Sequence, residues 1–266
     1  MTDLEKLFDD YQNAEADENR LKEALRSELD NRKNALDNIY SLLDKGDLSA
    51  VYSMLKNGQT QTPVQKHTLM SRTGTYAQGV WQLRDSGVVR PNTLKENIEA
   101  RVIDYNTNQS LGLFDNWFDS CTGVAYQKKS TKFKIIPECE QLINIDKNFN
   151  DYFLPINFSD LKDGKLLDSS KGKYNSLLGE AEVSNHPGWL AAVEEDKHLL
   201  KEYAEIVFSK LKEKYSTDKG MGFYVRKETD QDQLRALFVG NLIIDSLAYG
   251  INDLNNCGSF LRSSPN

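Results

Sequence analysis

Glycine and proline are missing from the first forty-five residues, Met1 to Lys45. That absence removes the strongest helix breakers from the run and leaves long helical structure as its reading, with residues 15–19 either a break or an exposed turn of the same helix. Cysteine is scarce. Cys121, Cys139 and Cys257 are odd in number and lack Cys-x-x-Cys spacing. A disulfide framework and a zinc ribbon are thereby excluded, and free thiols in a reducing compartment are expected. The chain lacks any apolar run near the ~20 residues that span a bilayer, so no membrane partner is expected. The start, Met1-Thr2-Asp3, has neither the basic residues nor the apolar segment of a secretory signal, and the expected location is cytoplasmic. Gly-x-x-x-x-Gly-Lys and Gly-x-Gly-x-x-Gly are both missing. No phosphate or dinucleotide loop can therefore be read from the sequence, and no cofactor is expected.

What is present is a chain of 266 residues, 39% hydrophobic, 10% aromatic and 27% charged, with a net charge of −7. That is enough apolar material for a core. Charge is unevenly spread. Residues 1–58 are acidic. Residues 59–95 carry Lys66, Arg72, Arg84, Arg90 and Lys95 against Asp85 alone, and Lys128, Lys129, Lys132 and Lys134 have no acid among them. An acidic whole argues against indiscriminate polyanion binding, yet local basic patches can form a binding face.

The N-terminal run carries Leu21, Leu25, Leu29, Leu36, Ile39 and Leu43 at steps of three, four or seven, with Arg32 among them. Such a stripe packs on its own domain or pairs as a short coiled coil with a second copy or another protein. Further helices are expected from Asp47, from Pro63 to Asp85, and from Leu94 to Tyr105. Residues 1–107 thus read as a helical region. The polar link 106–110 is the expected boundary with an α+β domain over 108–266.

In that second part, Cys121–Tyr126 and Thr131–Ile136 alternate as two strands around Lys128-Lys129-Ser130. Tyr152–Phe158 reads as an edge strand and Gly220–Val225 as one more. Helices are expected over Tyr174–Leu178, Trp189–Tyr215 and Leu234–Ala248, and the tail from Asn255 reads as irregular. The resulting fold class is predominantly helical α+β: a helical N-terminal region with a long amphipathic helix, then a domain with a small antiparallel sheet.

Several constellations bear on chemistry. Leu69, Met70, Gly74, Val80 and Leu83 approach helix-turn-helix spacing, which would make 63–90 a DNA-binding segment with Lys66, Arg72, Arg84 and Arg90 at phosphates. Lys128, Lys129, Lys132 and Lys134 with Tyr126 and Phe133 could hold a single strand of nucleic acid. Glu195-x-x-His198 puts a carboxylate and an imidazole one helical turn apart, but a di-metal site needs a second copy, which is absent. His186 has Glu180 and Glu182 nearby in sequence. Cys121 as a nucleophile would need a histidine that no spacing supplies. Arg235, Asn241 and Asp245 sit in an apolar stretch and need partners. The functional expectation is a binding or assembly protein working through its N-terminal helices. The alternatives are nucleic-acid binding and an enzyme whose site is assembled from residues distant in sequence.

Overall fold

The computed structural model describes residues 66–71, 74–107, 111–242, 246–256 and 259–264. All but Lys66 belong to one unit, His67–Ser264. The leucine stripe, the coiled-coil expectation, Arg72, Asp245 and Cys257 lie outside the described residues.

The unit is built on a curled mixed sheet of seven strands, not on helices, which overturns the predominantly helical fold class. Strands β2 (Phe118–Tyr126) and β3 (Lys132–Ile136) form the antiparallel hairpin that their alternation predicts. β5 (Lys165–Asp168) borders β3. On the other side of β2 lies β7 (Gln233–Val239), then β8 (Ala248–Tyr249) and β6 (Phe223–Tyr224), the last two parallel. β4 (Leu154–Pro155) adds to β7, as the expected edge strand. A separate two-stranded sheet joins β1 (Lys66–Ser71) to β9 (Ser259–Ser264).

Three expectations fail here for identifiable reasons. Gln233–Val239 is buried at every position. A strand covered on both faces reads as a continuous apolar run, which periodicity cannot tell from a buried helix. Lys66–Ser71 and the tail become strands by pairing with each other across the length of the unit, a non-local contact that local propensity does not report. Leu69 and Met70 therefore stand on a strand, so 63–90 does not contain the helix pair that a helix-turn-helix requires.

The helices cover the sheet. α1 (Tyr76–Asp85) opens on a capping box in which Thr75 Oγ1 accepts from Gln78 N–H and Gln78 Oε1 accepts from Thr75 N–H. α2 (Leu94–Thr107) opens on the same device between Thr93 and Glu96. It is followed by a single 3-10 turn at Leu113–Asp115. The unit runs across the polar link at 106–110. α3 (Glu140–Ile143), α4 (Glu180–Val183) and α5 (Pro187–Ala192) are short. α6 (Lys197–Tyr215) buries the stripe Leu200, Tyr203, Ala204, Val207 and Leu211. The long helix expected from Trp189 is broken between α5 and α6, where Glu194 and Glu195 both take positive φ. One apolar cluster packs α2, α5 and α6 on one face of the sheet; a second packs α1 and the segment 136–161 on the other.

Candidate functional site

The register of four strands sets two opposite rows. Phe118, Val239, Ala248 and Phe223 are cross-strand neighbours facing the first apolar cluster, and all are buried. One residue along, Asp119, Phe238, Tyr249 and Tyr224 make the matching row on the other face, because strand side chains alternate. Phe238 and Tyr249 stack at 5.1 Å and 7°, and Tyr249 and Tyr224 at 5.0 Å and 16°. The ring faces are thus turned against one another. Trp117, immediately before β2, stands 6.2 Å from Phe238 at 86° and is 48% exposed. Beside it opens a cavity of about 220 Å³ lined by Trp117, Phe118, Asp119, Phe238 and the buried Ser259, with the half-buried Asn252 and the exposed Asn256 at its rim.

The rim loop has a fixed backbone. Arg235, buried on β7, donates to the carbonyls of Ile251 (3.3 Å) and Asn252 (2.8 Å) and pairs with Asp253. Burial pulls its guanidinium below the ordinary arginine value, which Asp253 partly offsets. Arg226 also reaches Asp253, at 3.3 Å. Tyr126 donates to Gly250 O, Leu254 N–H donates to Tyr152 O, and Tyr76 N–H donates to Leu254 O. The rim side chains bond locally: Asn256 Nδ2 donates to Asn252 Oδ1 at 3.2 Å in an exposed position.

A two-residue irregularity in β2, between Asp119 and Gly123, permits this arrangement. Ser120 donates to Leu237 O and Thr122 to Pro137 O, while Asn97 donates to Asp119 O.

The residues singled out from the sequence are not gathered into this site. Arg84 is bound to Ile143 O and lies over Trp81, and Arg90 is paired with Glu96 and Glu138. Lys134 donates to Leu161 O beneath the ring of Phe158. Lys128, Lys129 and Lys132 are exposed on the hairpin, and Lys66 lies on β1. Arg235 has its partners, but on a strand and not in the helix expected for it. Asn241 donates to Asp115 O.

His186 is the N-cap of α5. Its Nδ1 accepts from Gly188 and Trp189 N–H, and its ring stacks on Phe223. Burial pushes its pKa down to about 4, so it is neutral. His198 is exposed, and Glu195 lies before α6 in an ion pair with Lys165, so the two share no helix face. Burial pushes the Cys121 thiol up to about 12 and the Cys139 thiol to about 11, the opposite of an activated nucleophile. Among the described residues no group of three or more His, Cys, Asp or Glu is placed to hold a metal, and no helix is long and apolar enough to cross a membrane.

No protein-family model and no curated protein matches the chain. The fold is similar to a solved structure described as the accommodation of massive sequence variation in Nanoarchaeota by the C-type lectin fold. The two share 16% identity over 75% of this chain and 98% of that one, with a TM-score of 0.56. The likeness is one of architecture alone: the described unit is similar in fold to that C-type lectin structure.

Proposed function

We propose that the described unit is a recognition module that binds a protein segment at the corner where the half-exposed Trp117 meets Phe238, beside the stack of Tyr249 and Tyr224. The observation that carries this reading is the half-exposed indole of Trp117 standing perpendicular to Phe238 over an amide-rimmed cavity. Two rings at a right angle form a corner suited to one apolar side chain. The asparagines at its rim can pair with a peptide backbone. Tyrosine and asparagine together give contact area and adaptable hydrogen bonds at low entropic cost. The rings of Phe238, Tyr249 and Tyr224 stack on each other. With those faces occupied, the stack presents ring edges, which fits a protein surface better than the flat face of a sugar.

The same reading makes the rim exchangeable. Its backbone is held by buried groups, above all Arg235, while Asn252 and Asn256 contribute little to the core. The similar structure is described as accommodating massive sequence variation on this fold. A cytoplasmic location belongs to the proposal, supported by the free thiols of Cys121 and Cys139. Assembly through Leu21–Leu43 is a separate proposal, tested by solution mass across concentration.

The test is selection of a random-peptide library against the immobilised full chain. Enriched peptides should share an aromatic or leucine anchor, and Trp117→Ala should abolish their binding. Exchange of Asn252 and Asn256 should change which peptides are enriched without lowering the melting temperature by more than a few degrees. Enrichment indifferent to Trp117→Ala, or no enrichment, sinks the proposal.

A further inference from the structure

We infer that Arg101 is the positioning residue of the recognition face, holding Trp117 at its corner from the opposite side of the sheet. The inference rests on the proposed binding role only for its effect on affinity.

Arg101 lies in α2 and is fully buried. Its Nε donates to Leu113 O at 3.1 Å, its Nη2 to Asn116 O at 2.6 Å, and its Nη1 to the Tyr203 hydroxyl at 2.6 Å. The guanidinium lies over the rings of Phe114 (5.6 Å) and Phe118 (5.2 Å). Among the described residues no carboxylate forms an ion pair with it. A buried cation without a counter-charge is costly, and an apolar side chain of similar volume would seal the contact between α2 and α6 without that penalty. What the guanidinium adds is direction. Its rigid fork grips both ends of the turn 113–116 at once, which an ammonium or a methyl group cannot do.

Trp117 follows Asn116 directly. The turn's remaining bonds are local or exposed. Asp115 N–H donates to Gly112 O at 3.0 Å. Asn116 Nδ2 donates to Gly112 O within the turn, and Asn241 reaches Asp115 O at 3.4 Å in an exposed position. Tyr203 closes the clamp from α6, its ring stacked on Phe114 at 6.2 Å and 19°. The turn that delivers Trp117 is therefore fastened by one side chain to two helices of the scaffold, so the indole is pre-oriented before any partner arrives.

The experiment is indole ¹⁵N–¹H spectroscopy of the full chain, whose three tryptophans, Trp81, Trp117 and Trp189, are assigned by single Trp→Phe changes. Arg101→Lys keeps the charge and loses the fork; Arg101→Met keeps the packing and loses both. In each, the Trp117 signal should shift and broaden while that of Trp81, which is bonded to Ile145 O away from the clamp, stays in place; Trp189, whose ring lies 6.5 Å from Tyr203, is not used as the reference. Peptides selected on the native chain should bind about tenfold more weakly or worse. Should either variant fail to fold, Tyr203→Phe, which removes only the acceptor hydroxyl, should still displace the Trp117 signal. An unmoved Trp117 signal in the folded variants overturns the inference. A displaced signal with unchanged peptide affinity upholds the positioning and overturns the binding reading.

Discussion

The indole of Trp117 and the ring of Phe238 meet edge to face, at 86° and 6.2 Å, although one residue is 48% exposed and the other 8%. The pair divides its duties. Phe238 is a rung of the sheet, stacked on Tyr249, whereas Trp117 faces outward. Phe238→Ala should cost about 3 kcal/mol of stability, and Trp117→Ala under about 1 kcal/mol, in urea unfolding of the full chain. Equal costs would make Trp117 a core residue and remove it from the face.

Arg235 should behave as the anchor of the rim loop. Arg235→Met leaves Asp253 and the Ile251 carbonyl with only the longer contacts to Arg226, and takes from the Asn252 carbonyl its 2.8 Å donor. A loss of about 2–4 kcal/mol is expected. Asp253→Asn in the same chain should restore part of it. A neutral Arg235→Met, measured by denaturation at pH 7, would show that the loop is held by other means.

Acid should weaken the fold through His186. Its pKa is about 4 in the folded state and about 6.5 when unfolded. The unfolded chain therefore binds the proton first as pH falls. The contribution is fully present above about pH 6.5 and is lost between there and pH 4, up to about 3 kcal/mol in all. His186→Asn keeps a side-chain acceptor for the cap of α5 and removes the titration. Its stability should fall less than the native chain's between pH 7 and pH 4. Parallel falls would assign the acid sensitivity to other groups.

Gly123 is required for space. A Cβ there would stand 2.9 Å from Cys139 Sγ and 2.9 Å from Leu234 Cδ1. Gly123→Ala should cost about 1–3 kcal/mol by overpacking. Combining it with Cys139→Ala should recover a measurable share, because the two side chains compete for one volume. Strict additivity in that double-mutant cycle would refute the close contact.

The β2–β3 hairpin was legible because one face of it meets solvent: Lys132 and Lys134 alternate with Phe133 and Ile135, and period two survives in the sequence. The stripe on α6 was legible for the equivalent helical reason. β7 was not, because burial on both faces erases periodicity. The site was hidden more thoroughly. Trp117 with Asp119, Tyr224, Phe238 and Tyr249 come from four separate segments, and no spacing between those segments carries meaning. The one local trace was that Phe223-Tyr224, Phe238-Val239 and Ala248-Tyr249 each set an aromatic beside an apolar neighbour, the alternation of strands with two occupied faces.

The sequence by itself determined the hairpin and the inward stripe of α6. These depend on groups a few residues apart, whose geometry the backbone sets. Only the tertiary structure decided that a sheet organises the unit, that β1 and β9 are strands, and that four strands bring one row of aromatics into register beside Trp117. Sheet pairing joins residues far apart along the chain, and its energy resides in cross-strand contacts that no local pattern records.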